Sequence, residues 1–102
     1  LKKRKLIAFC GIGRPEKFFS MLKNHDLKII KEYSFPDHHF YSNRQLTKIM
    51  DIAAKNNALV VTTEKDFVKI PLTFKKNIYP IGIELHLSKN KKLLLELKKL
   101  VP

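Results

Sequence analysis

Short apolar runs alternate with segments of helical periodicity along this 102-residue chain, and that alternation most limits the fold it can adopt. Residues 5–10, 27–35 and 58–63 are rich in β-branched and other apolar side chains, which is typical of buried strands. A fourth strand is predicted over residues 78–87, where Pro80 favours an edge position or a bulge.

Helix start signals stand between the first three runs. Pro15 suits the first position of a helix, and apolar residues recur after it at helical spacing. Ser42 and Gln45 form the sequence pattern of a capping box, and Tyr41 can pack against Leu46 as a hydrophobic staple. We therefore predict one helix that opens near Pro15 and a second that is capped by Ser42.

The predicted order of elements is β-α-β-α-β-β-α, with a last helix after Ser88. Strands that alternate with helices are typical of the α/β class, so we expect a mostly parallel sheet with helices on both faces, a Rossmann-like three-layer sandwich. The length fits one domain, and residues 1–102 are expected to form a single α/β domain.

Charge and composition narrow the range of partners. The formal net charge is +12, which indicates attraction to nucleic acid, a phosphate-rich substrate or an acidic membrane. The base composition of the genome could also produce such a lysine-rich chain without any selection for binding. No run approaches the ~18 apolar residues of a membrane span, so any membrane contact is expected to be peripheral. Because the chain opens at Leu1 rather than at a methionine, we expect a fragment of a longer protein.

Polar clusters follow the first three predicted strands directly. They occupy residues 11–16, 37–39 and 62–66. In parallel α/β folds, ligands bind beyond the carboxyl ends of the strands. The sequence therefore predicts a site at that edge of the sheet, built from these three clusters.

The first two clusters offer an anion site and a proton-transfer group. Arg14 precedes a predicted helix N-terminus, which favours an anion, although the neighbouring glycines could serve only a tight turn. Asp37 lies beside His38 and His39, and a histidine held by a carboxylate suits proton transfer near neutral pH. The same residues could instead form a simple turn, or one histidine could bind a metal.

The third cluster combines acids with amines. Lys65 could pair with a phosphate, and Glu64 or Asp66 could orient that lysine. A solvated turn whose charges cancel is the plainer interpretation. Lys69 could extend the same basic surface or lie in solvent.

Three segments together resemble the tetraacyldisaccharide 4'-kinase family. They are residues 11–19, 35–41 and 62–69, in the order found in that family. The resemblance implies the C-terminal lobe of a two-lobe kinase whose N-terminal lobe carries the phosphate-binding loop Gly-x-x-x-x-Gly-Lys-Ser/Thr. That loop is absent from this sequence. ATP and Mg²⁺ are therefore expected to serve the full-length enzyme, and the fragment alone is expected to bind neither and to be inactive.

The resemblance also implies a substrate, partners and residue roles. The reaction would move the ATP γ-phosphate to the 4'-hydroxyl of a lipid A disaccharide precursor at the cytoplasmic face of the Gram-negative inner membrane. The expected partners are that precursor, the missing P-loop lobe and the anionic membrane surface, with no specific nucleic acid. His38, supported by Asp37, would approach the reacting groups, with His39 in reserve. The residues expected to hold phosphates or to fix the lysines are Arg14, Lys65, Lys69, Glu64 and Asp66.

Two other functions remain as alternatives. Asp37-His38-His39 also matches the name-giving motif of a metal-dependent phosphoesterase superfamily, although few further acids are available as ligands. The charge and the aromatic residues would suit a basic nucleic-acid-binding module, for which no recognised signature appears.

Overall fold

The protein is described by a computed structural model over residues 5–24 and 27–82. Its strands are β1 (Lys5–Cys10), β2 (Lys28–Ser34), β3 (Leu59–Thr63) and β4 (Ile78–Ile81). Its helices are α1 (Pro15–Asn24), α2 (Asn43–Asn56), α3 (Glu64–Phe67) and α4 (Leu72–Lys75).

The four strands form one sheet in the order β2-β1-β3-β4, and every pairing is parallel. From β1 the chain passes through α1 to β2 on one side, and then returns through α2 to β3 on the other side of β1. Such a reversal of direction opens a crevice beyond the carboxyl ends of the two strands concerned, here β1 and β3. The predicted α/β class and parallel sheet are confirmed.

Side chains of the central strand alternate between two apolar clusters. Leu6, Ala8 and Cys10 join the cluster that includes the buried residues of α1. Ile7 and Phe9 join the cluster that includes the buried residues of α2. Because successive strand residues point to opposite faces, α1 and α2 cover opposite faces of the sheet, which confirms the three-layer arrangement.

The predicted cap of α2 is present. The Ser42 Oγ accepts a hydrogen bond from the Gln45 backbone N–H at 3.1 Å, and the Gln45 Oε1 accepts one from the Ser42 N–H at 3.1 Å. Tyr41 and Leu46 are buried in the same cluster, as a staple requires. At the other end Asn57 adopts the left-handed conformation, with φ of 52°, and its N–H bonds to carbonyls of the last turn.

The connection between β3 and β4 differs from the prediction. We expected the third and fourth strands to follow each other directly, whereas α3 and α4 lie between them. Helices of four residues are too short to show a hydrophobic period, and α3 depends instead on a cap by the Thr63 side chain. β4 is an edge strand of the described sheet, which suits Pro80. The predicted continuation to residue 87 and the helix after Ser88 lie outside the described residues.

Replacement of the α2 cap tests the prediction made from sequence. Ser42→Ala removes the acceptor for the Gln45 N–H and is expected to lower the free energy of unfolding by about 1 kcal/mol. Urea unfolding monitored by circular dichroism measures the change. Ser20→Ala, at an exposed position inside α1, is the control and is expected to change the free energy by only a few tenths of a kcal/mol. Equal effects of the two substitutions would contradict the capping role.

Candidate functional site

The connections that follow β1, β2 and β3 meet at the carboxyl edge of the sheet. A Cβ atom placed on Gly11, after β1, would lie 2.9 Å from the Pro36 carbonyl oxygen, after β2. A Cβ on Gly13 would lie 4.0 Å from the Asp37 carboxylate. The Gly11 N–H donates to Asp66, which follows β3. Members of the three polar clusters are therefore in contact or nearly so, as the parallel order of the strands requires.

The Asp66 carboxylate joins the three connections. It is fully buried and accepts hydrogen bonds from the Gly11 N–H at 3.1 Å, the Tyr41 hydroxyl at 2.9 Å and the Thr63 hydroxyl at 2.6 Å. The Asp66 N–H donates in turn to the Thr63 Oγ at 3.0 Å. A buried carboxylate is tolerated only when donors replace the lost water, and three donors do so here.

These partners differ from those expected for Asp66. We expected Asp66, with Glu64, to fix nearby lysines, whereas its oxygens bond to backbone and hydroxyl donors. Among the described residues no ion pair joins Asp66 or Glu64 to Lys65 or Lys69. Glu64 and Lys65 are both exposed in the first turn of α3, which fits the interpretation of a solvated turn for these two.

Lys69 has an unusual environment for a lysine. Its ammonium nitrogen is buried and has no hydrogen-bond partner within the part of the chain that the structure describes. Its backbone N–H donates to the Asp66 carbonyl at 3.0 Å, and this bond holds Lys69 next to the turn that contains Asp66. A desolvated cation without a partner is costly, so an anion that reached this nitrogen would be stabilised.

His38 is exposed and backbone-strained. Its φ is 63°, in the left-handed region that non-glycine residues rarely adopt, and its side chain is 77% exposed. The His38 Nε2 lies 3.8 Å from an Asp37 carboxylate oxygen, and the other Asp37 oxygen accepts the His38 N–H at 3.0 Å. Residues with a strained backbone cluster at functional sites. His38 lies at the carboxyl edge of the sheet, where parallel α/β folds bind their ligands.

His39 is held by its neighbours instead. Its ring stacks on Phe35 at 4.5 Å and meets the Tyr41 ring edge-on at 4.9 Å. Its Nε2 lies 3.0 Å from the Gln45 Oε1, so this nitrogen carries the proton and donates. The two adjacent histidines thus differ: His39 is part of the packing, and His38 is available to a ligand.

Arg14 stands where the sequence predicted it, in the turn between β1 and α1. It is exposed, and its carbonyl accepts the Lys17 N–H at 3.2 Å as the first turn of α1 begins. Gly13, directly before it, faces Asp37 across the edge. Arg14 and the Asp37-His38 pair therefore belong to neighbouring turns.

Tyr41 is a member of this edge that sequence reasoning assigned only to hydrophobic packing. It is 2% exposed, and its hydroxyl has a raised pKa, chiefly because of burial and secondly because of the nearby Asp66 charge. The hydroxyl therefore remains a donor to Asp66. The pKa of the Cys10 thiol is raised to about 11, again chiefly by burial and secondly by the Asp66 charge. No local pattern could have shown the Tyr41–Asp66 bond, because the two residues lie 25 positions apart.

Two further features are absent from the described residues. No group of three or more histidine, cysteine or acidic side chains there is arranged to hold a metal ion. None of the helices in that part of the chain combines the length and apolar character needed to cross a bilayer.

The fold and this edge define a parallel α/β domain with a polar site beyond the carboxyl ends of its strands. Residues 1–101 match the family described as Tetraacyldisaccharide-1-P 4'-kinase. The chain belongs to that family, which confirms the resemblance drawn from its three motifs.

Individual relatives agree with the family match. The chain is 44% identical over 85 residues to the tetraacyldisaccharide 4'-kinase of Gluconobacter oxydans, covering 83% of the chain and 26% of the relative. It is 37% identical over 99 residues to the protein of the same name from Pelagibacter ubique, covering 97% and 32%. The corresponding values for Rickettsia rickettsii are 40% over 87 residues, 85% and 27%. The chain thus spans about a quarter to a third of these relatives. No solved structure shows a significant match.

The close approach at Gly11 predicts different tolerance at the two glycines of the first turn. In Gly11→Ala the new Cβ would also lie 3.0 Å from the Tyr41 hydroxyl, so the connection after β2 must move. We expect a loss of about 1–3 kcal/mol in the free energy of unfolding. Gly13→Ala is the matched control, since only one atom lies as close as 4.0 Å and neither glycine has a positive φ. Similar losses in urea unfolding would contradict the close packing.

Cys10 predicts a loss of stability at high pH. The unfolded chain releases the thiol proton near pH 9, whereas the folded chain keeps it until about pH 11. The contribution of the protonated thiol to the free energy of unfolding is therefore fully present below pH 9. It falls by roughly 2 kcal/mol as the pH rises towards 11. Urea unfolding at several pH values should give a steeper decline for the wild-type chain than for Cys10→Ala. Parallel declines would show that the buried thiol does not contribute.

Proposed function

We propose that this chain is one lobe of a tetraacyldisaccharide 4'-kinase that transfers the γ-phosphate of ATP to the 4'-hydroxyl of a lipid A disaccharide precursor. Membership of the family supports the reaction class. The observation that carries the proposal for this lobe is the exposed, strained His38 beside Asp37, at the edge where parallel α/β folds bind ligands. The lobe requires the rest of the kinase, since its own sequence has no phosphate-binding loop.

His38 is the group that meets the reacting atoms. Phosphoryl transfer depends mainly on positioning and on charge stabilisation. With its Nε2 towards Asp37, His38 keeps its Nδ1 available to the acceptor hydroxyl or to a phosphate oxygen. The Asp37 carboxylate would stabilise the imidazolium that forms if His38 takes the hydroxyl proton. His39 is less suited to this role, because Gln45 and two aromatic rings already engage it.

Basic residues of the lobe hold the anionic parts of the substrates. The buried, unpartnered ammonium of Lys69 is supporting evidence that an anion belongs near it. Arg14, at the start of α1, adds a guanidinium beside a helix N-terminus. Lys65 is exposed and would contribute only to the general positive potential of the edge. ATP supplies the phosphoryl group, and Mg²⁺ would screen its charge. No described cluster in this lobe suits the metal, so we assign its binding to none of these residues.

The cellular setting follows from the proposed substrate. The chain has a formal net charge of +12, which favours an anionic lipid surface. We place the kinase peripherally at the cytoplasmic face of the inner membrane, where the lipid precursor would be presented. The family match favours this function over the phosphoesterase and nucleic-acid alternatives.

His38→Ala in the complete kinase tests the proposal. We expect kcat to fall about a hundredfold or more, which is the usual contribution of a positioned proton-transfer group. Thermal unfolding should be unchanged, because the side chain is exposed. Phosphate transfer to a tetraacyldisaccharide acceptor, followed with radiolabelled ATP, measures the rate.

Two further variants complete that experiment. Lys48→Ala removes an exposed cation from α2 and should leave kcat unchanged. His39→Ala should lower the unfolding temperature, because it removes the ring that packs between Phe35 and Tyr41. A folded His38→Ala enzyme with full turnover would refute the role of His38.

A further inference from the structure

The segment that carries His38 does not hold its own shape. Between Pro36 and Phe40 the only hydrogen bond within the segment joins the His38 N–H to the Asp37 side chain, over the residues that the structure describes. Pro36, Asp37, His38 and Phe40 are all exposed, and His38 has a strained backbone. Inside the segment, His39 is held by Gln45 and by the Phe35 and Tyr41 rings. The position of His38 is therefore set by its neighbour His39 and by contacts at the two ends of the segment.

One end of the segment is fixed by the sheet. The Phe35 N–H donates to the Cys10 carbonyl at 2.8 Å, which extends the pairing of β2 with β1 by one residue. Gly11 then approaches the Pro36 carbonyl so closely that no side chain fits between them. The position of this end is therefore fixed by the central strand β1 and by Gly11 directly after it.

The other end is fixed by Tyr41. Its hydroxyl donates to the Asp66 Oδ1 at 2.9 Å, and its ring packs edge-on against Phe9, Phe35 and His39 at 5.2, 5.4 and 4.9 Å. Asp66 is itself held by Gly11 and by Thr63. The hydroxyl of Tyr41 therefore ties the connection after β2 to the connections after β1 and β3.

We propose that Tyr41 is a positioning residue, whose hydroxyl, anchored on Asp66, sets the location of His38 relative to the Gly11–Arg14 turn. This inference rests on the proposed role of His38. Tyr41 touches no substrate and acts only through the placement of the segment three residues before it. Because phosphoryl transfer is sensitive to displacements of about 1 Å, loss of this anchor lowers turnover rather than substrate affinity.

The test compares substitutions at two buried positions in the complete kinase. Tyr41→Phe keeps the ring and its aromatic contacts and removes only the bond to Asp66. Ile78→Val is the matched control, because it removes one buried methyl group at the amino end of β4, at the opposite end of the parallel sheet from the His38 segment. Both variants should lower the urea midpoint of unfolding by similar amounts.

Turnover should separate the two variants. We expect Tyr41→Phe to lower kcat about tenfold with the KM for the lipid acceptor within about twofold of wild type, since a misplacement of about 1 Å can cost about a hundredfold and the retained ring limits the displacement. Ile78→Val should leave kcat within about twofold. In the His38→Ala background, Tyr41→Phe should change kcat less than twofold, because the group that it positions is gone. Equal kcat values for Tyr41→Phe and Ile78→Val, or an undiminished tenfold effect without His38, would overturn the inference.

A second readout does not depend on catalysis. The backbone amide resonances of Asp37 and His38 should shift in Tyr41→Phe and stay in place in Ile78→Val. Unchanged resonances in Tyr41→Phe would show that the hydroxyl does not set the position of the segment. Full turnover of His38→Ala would instead refute the proposed function, so the two failures are distinguishable.

Discussion

The buried Asp66 carboxylate is the interaction on which the carboxyl edge of this fold depends. Burying a charge costs several kcal/mol unless donors replace its water, and Asp66 meets that requirement with donors from three different connections. Each of these donors would in turn be left unsatisfied in the interior without the carboxylate. The need of the Asp66 carboxylate for these hydrogen bonds therefore holds the three strand ends in one arrangement.

The central position of β1 makes that arrangement possible. Residues Leu6 to Cys10 are completely buried, because helices cover both faces and strands flank both edges of β1. Gly11 follows directly after this strand, which pairs with β2 on one side and with β3 on the other. Its missing side chain lets Pro36 and Tyr41 approach, and its N–H reaches Asp66. A side chain at this position would keep the connections apart.

Local patterns predicted those parts of the fold that local physics determines. The first strand and the α2 cap matched in detail, since burial of successive residues and the Ser42–Gln45 pair are visible in neighbouring positions. The helices α3 and α4 were missed because four residues show no periodicity. The clusters at the strand ends were found, but the partners of Asp66 were not, because Gly11 lies 55 residues away. Likewise, the different surroundings of His38 and His39 depend on Phe35, Tyr41 and Gln45 packing in three dimensions.

The strain at His38 and the stability of its surroundings belong together. A non-glycine residue with φ of 63° is held at a cost of about 1–3 kcal/mol, which persists only where neighbouring structure over-determines the backbone. Here the neighbouring structure includes the Phe35–Cys10 backbone bond on one side, the Tyr41–Asp66 bond on the other and the His39–Gln45 contact between them. A rigid frame of buried, fully bonded groups thus presents one exposed imidazole in a conformation that the segment would not adopt alone. The frame fixes where the imidazole lies, and the ring itself stays exposed.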